Sequence, residues 1–162
     1  MIENWQKDLS SFFDELSEVQ HELAVVLVEK RQRLIDVDAE VLQIVEAREN
    51  QLLARLQQCS EHRQELLAAA KHRGLPAESL QSALAALPQD DQRQALQSQL
   101  ADAAMRCLQL RHTSITNWVL AQRSFIHISH LLKIIATGDH RSPTYDKEEA
   151  GAVRGGLLDS DA

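Results

Sequence analysis

His127 and His130 stand three residues apart, about one helical turn, close enough to share a metal ion. Cys59 and His62 have the same spacing. A stable site needs a third ligand, and neither pair has one nearby at a suitable spacing. Both histidines then belong to a polar helix side, and Cys59 to a core line. Asp and Glu are numerous, yet no Glu-x-x-His pair falls on two facing core lines, as a di-iron bundle requires. Phosphate loop, nucleophile elbow and dinucleotide fingerprint are all missing. The residues therefore predict no metal, no cofactor and no enzyme. Tyr145, the single tyrosine, lies in the polar stretch Pro143, Thr144, Tyr145, Asp146. Such a residue is either a contact anchor or an incidental linker aromatic.

What remains able to act is apolar surface, concentrated from Ile115 to Gly138. This stretch reads as the last six turns or so of a long helix. Trp118, Ala121, Phe125, Ile128, Leu132 and Ile135 recur at steps of three and four and share one face. Ile115, Val119 and Ile126 form a second face, about 100–120° further round. Leu120, Leu131 and Ile134 lie on the far side. Gln122, Arg123, His127, His130 and Lys133 interrupt the apolar surface, so no membrane insertion is expected; a span needs ~20 nearly unbroken apolar residues. A helix apolar on several sides is either buried among other helices or open to a partner.

The elements that position this stretch follow from composition and period. The chain has 162 residues, enough for one domain. Five glycines, three prolines and 4% aromatics predict an aliphatic helical bundle or coiled coil. A formal charge of −7 argues against nucleic acid as a partner, because phosphate binding needs a clustered positive face. The opening MIENWQKDLSS lacks a basic region followed by an apolar core, so no secretory signal is expected. Cys59 and Cys107 both read as small core residues in a reducing, cytoplasmic compartment.

Trp5, Leu9, Phe12, Leu16, Val19, Leu23 and Val26 alternate four and three without a miss, which predicts a helix over about 4–35 with Asn4 as N-cap. Phe13 and Leu27 widen the seam beyond a two-helix contact. Asp36 and Asp38 mark a turn, the alternative being one unbroken helix of about 70 residues. A second helix over 38–73 carries Leu42, Val45, Leu52, Leu56, Cys59, Leu66 and Ala70, with Glu49 and Arg63 as polar intrusions on the same line. Lys71, His72 and Arg73, then Gly74 and Pro76, end it. A short helix over 78–87 is closed by Pro88, and a last long helix runs over 90–137. The architecture predicted is all-α: an elongated antiparallel bundle or coiled coil of three long helices and one short one over residues 1–138, then a mobile Gly- and charge-rich tail over 139–162.

The spaced pattern resembles the FlgN-type flagellar export chaperones. It includes Glu29, Leu34, Asp38, Leu42, Arg48, Leu52 and Leu53, then Arg63, Leu66 and Leu67 ahead of Gly74. The C-terminal part matches best: Asn117, the apolar run to Leu132, Thr137 and Gly138, Pro143 to Asp146, Gly151, Gly155 to Asp159, and Ala162. The family often has further Asn residues near the first of these, where this chain has Trp118, Gln122 and Ser124. The resemblance implies a small, acidic, cytosolic helical chaperone. It would hold the helical C-terminal segment of hook–filament junction proteins, prevent premature assembly, and deliver them to the flagellar type III export apparatus. Ile115, Trp118, Val119, Leu120, Ile126, Leu131 and Ile134 are the partner-binding candidates, and Tyr145 the candidate for docking to the export gate or ATPase complex. Monomer or weak homodimer is the expected state. The competing reading is a structural homodimeric coiled coil with no client.

Overall fold

The structure is a computed structural model that describes residues 2–137. Gly138, the tail over 139–162 and Tyr145 lie outside the described residues. Four helices follow in order: α1 (Ile2–Asp36), α2 (Ala39–His72), α3 (Leu80–Ala85) and α4 (Asp91–Thr137). The chain divides into two compact units, Met1–Asn117 and Trp118–Ala162, so the division falls inside α4.

In the first unit, α1 starts at Ile2, and Asn4 lies within its first turn rather than capping it. Nothing at 2–4 breaks a helix, and Glu3 complements the positive end of the dipole. The predicted turn falls at Val37, followed by Asp38 as N-cap of α2, whose side chain accepts from the Val41 N–H at 3.2 Å. The Asp38 N–H reaches back to the Arg33 carbonyl at 3.2 Å, which puts Val37 in the left-handed cap position at φ 56°. A β-branched side chain is strained there. Val37 is exposed and buries little, so V37G is expected to stabilise the protein by about 1 kcal/mol. A rise in Tm of roughly 3 °C checks this; a fall contradicts it.

The α1–α2 hairpin is antiparallel, and its contacts widen in sequence with distance from the turn. The separation is 19 residues for Arg48–Glu29, 33 for Arg55–Glu22 and 61 for the hydrogen bond from Trp5 Nε1 to the Leu66 carbonyl. Glu49, an intrusion on the core line, is paired with Lys30 Nζ at 2.6 Å. Arg63 faces solvent instead; the line passes through His62, whose ring packs edge-on to Phe12 at 5.5 Å. Helix α2 ends as the sequence predicts. Gly74 sits at φ 77°, its N–H bonds to the Lys71 carbonyl, and the Leu75 N–H bonds to the Ala70 carbonyl. Only glycine adopts that backbone without strain. Ser79 opens α3 with a capping box to Ser82, and the Asp90 carboxylate caps α4 at the Arg93 N–H.

The larger of two core clusters joins Trp5, Leu9, Phe12 and Phe13 of α1 to Leu66 and Ala70 of α2, to α3, and to Leu96 of α4. The second joins Leu23, Val26 and Leu27 to Val45 and Leu52, with Leu110 packed against it. Helix α4 runs parallel to α1 through this unit, since its bonds to α1 keep separations of 83 to 90 residues. That seam is partly polar. Gln20 Nε2 donates to the Ala103 carbonyl at 3.0 Å, Arg106 Nε donates to Gln20 Oε1 at 2.9 Å, and Asn117 Nδ2 donates to the Leu27 carbonyl at 2.8 Å.

Because α4 meets α1 through Arg106, the next residue, Cys107, is turned about 100° away. It is exposed, which corrects the expectation that both cysteines are core residues. Cys59 is buried, and burial, then the nearby Glu15 carboxylate, push its thiol pKa up. Iodoacetamide at mildly alkaline pH is therefore expected to leave one adduct, on Cys107, in the folded protein and two after denaturation. Mass mapping that finds Cys59 alkylated first would contradict the packing.

Candidate partner-binding helix

The second unit is described over 118–137, the last part of α4. Its helical form follows from a sequence with no Gly or Pro over these residues. Among residues 118–136 none is buried. Trp118, Phe125, Ile126 and Leu132 are each at least 60% exposed. Isolated exposed apolar residues are ordinary, but so many on one short helix are not.

The structure places the candidates as follows. Ile115 belongs to the first unit and is exposed there. Trp118, Val119, Ile126 and Leu131 are exposed, while Leu120 and Ile134 are half-buried. Val119 is the least open of the exposed group, at 38%. At about 100° per residue, Val119 and Ile126 share one line and Trp118, Phe125 and Leu132 another. Leu120, Leu131 and Ile134 make a third. One docked helix covers a stripe of only about 100°. A single docked helix would therefore cover part of this set, and covering every line takes more than one helix.

Sequence reading began at Ile115 and missed Met105 and Leu108, exposed at 60% and 66% on α4 of the first unit. The signal was present: 105, 108, 112 and 115 continue the three-four spacing, with His112 as the one polar member. His127 and His130 are exposed, and Cys59 and His62 serve the core. Among the described residues no three His, Cys, Asp or Glu side chains gather as a metal group. No helix among them is long and apolar enough to cross a membrane.

Searches of curated proteins and of solved structures give no match. A family model described as FlgN protein matches residues 1–150. With that match over nearly the whole length, the chain belongs to the FlgN family, the flagellar export chaperones that its sequence resembles.

Proposed function

We propose that this protein is a cytoplasmic secretion chaperone. It binds the helical C-terminal segment of flagellar hook–filament junction proteins, prevents their premature assembly and delivers them to the export gate or ATPase complex of the flagellar type III apparatus. The observation that supports this reading is the absence of any buried residue over 118–136, despite the many large apolar side chains there. A client helix awaiting assembly carries an apolar stripe of its own, and helix-on-helix docking covers both. Trp118, Val119, Leu120, Ile126, Leu131 and Ile134 form the contact, Ile115 of the first unit is a further candidate, and Tyr145 serves docking to the export apparatus.

A homodimeric coiled coil without a client is favoured by the exposed line Met105, Leu108 and Ile115. Calorimetric titration of the full chain with the C-terminal segment of a junction protein, paired with sedimentation, separates the two. Saturable binding of one segment per chain supports the carrier. A tight dimer that takes up no segment overturns it.

A further inference from the structure

Resting on the carrier reading above, we infer that the occupant of the helix over 118–137 is an acidic amphipathic helix, its apolar stripe bordered by Asp or Glu. The chain holds 24 acidic residues against 17 Lys and Arg, yet none of the acidic ones falls between Asp102 and Asp139. In the described part of the second unit every charged or titratable side chain is basic: Arg123, His127, His130 and Lys133.

Arg123, His127 and His130 stand at steps of four and three, so they form one line along the helix. All three are exposed, and among the described residues they have no ion pair or side-chain hydrogen bond. Val119 and Ile126 flank this line on one side, and Leu120 and Leu131 on the other. The helix dipole does not account for the sign, because its effect is confined to the last turn and no basic residue lies there. An acidic helix that sets its apolar stripe on Val119 and Ile126 brings its flanking carboxylates to the Arg123 guanidinium and to imidazole N–H groups. An anionic membrane surface has the same sign, but it selects a helix with one apolar face and one opposed charged face. Here Trp118, Phe125 and Leu132 do lie opposite the basic line, but Val119 and Ile126 on one side and Leu120 and Leu131 on the other also border it, the arrangement at a helix–helix contact.

The test uses the full chain and three labelled peptides with the same Leu heptads, differing only in flanking Glu, Gln or Lys, read by fluorescence anisotropy. Vesicles of phosphatidylglycerol and phosphatidylcholine form a fourth arm. The Glu peptide is expected to bind about tenfold tighter than the Gln peptide at low salt, from a few partly exposed pairs. The gap should narrow as salt rises. R123E should move the preference towards the Lys peptide, and R123Q should reduce it without reversal. Equal binding of Glu and Gln peptides, or tighter binding of the Lys peptide, overturns the acidic assignment and leaves the carrier reading standing. Binding to anionic vesicles with no peptide bound overturns both, and so does the absence of binding in all four arms.

Discussion

Serine at Val119, Ile126 and Ile134 together is expected to weaken client binding by a hundredfold or more while the fold survives. All three side chains are exposed or half-exposed in the free protein, so truncation removes little from its own core. In the complex each would lose burial of several methyl and methylene groups, at about 0.8 kcal/mol per buried CH₂. The three substitutions remove about eight such groups, and with about half of their surface newly covered on binding the loss is roughly 3–4 kcal/mol, which is two to three decades in Kd. Serine and isoleucine differ little in helix propensity, so the helix itself is retained. Titration against the C-terminal segment of a junction protein gives the affinity, and thermal unfolding gives the fold. A variant with unchanged Tm and unchanged affinity would remove these side chains from the contact.

The second large effect is in the core of the first unit. Trp5 is fully buried, and its indole N–H donates to the Leu66 carbonyl at 2.9 Å across the α1–α2 hairpin. It shares the larger core cluster with Leu9, Leu66, Ala70 and α3. W5A is expected to cost about 4 kcal/mol, the usual range for deleting a buried aromatic, because the helices around it close the space only in part. Denaturant unfolding at equilibrium measures this. W5F keeps most of the ring volume and should restore most of the loss. A loss below about 1 kcal/mol for W5A would show the site to be loosely packed.

Local chemistry made much of this fold readable in advance. Gly74 after three basic residues names its own cap, and Asp38 ends one helix and opens the next without Gly or Pro. The seam from Trp5 to Val26 is buried almost throughout, because its partner lies along its whole length. Register errors came where the partner geometry shifts the buried line by one residue. Arg106 holds Gln20, so Cys107 points outward, and His62 takes the core line from Arg63. Periodicity reports which residues share a face. It does not report whether another helix covers that face, which is why Met105 and Leu108 went unremarked and why the openness of 118–136 needed coordinates.

That openness bears most directly on the proposed carrier role, and amide hydrogen exchange reads it residue by residue. With the junction-protein segment added to saturation, exchange over 118–137 should slow by at least an order of magnitude. Rates in the α1–α2 hairpin should stay as they are in the free chain. A saturated complex in which 118–137 exchanges as fast as before, with protection gained elsewhere, would contradict the account.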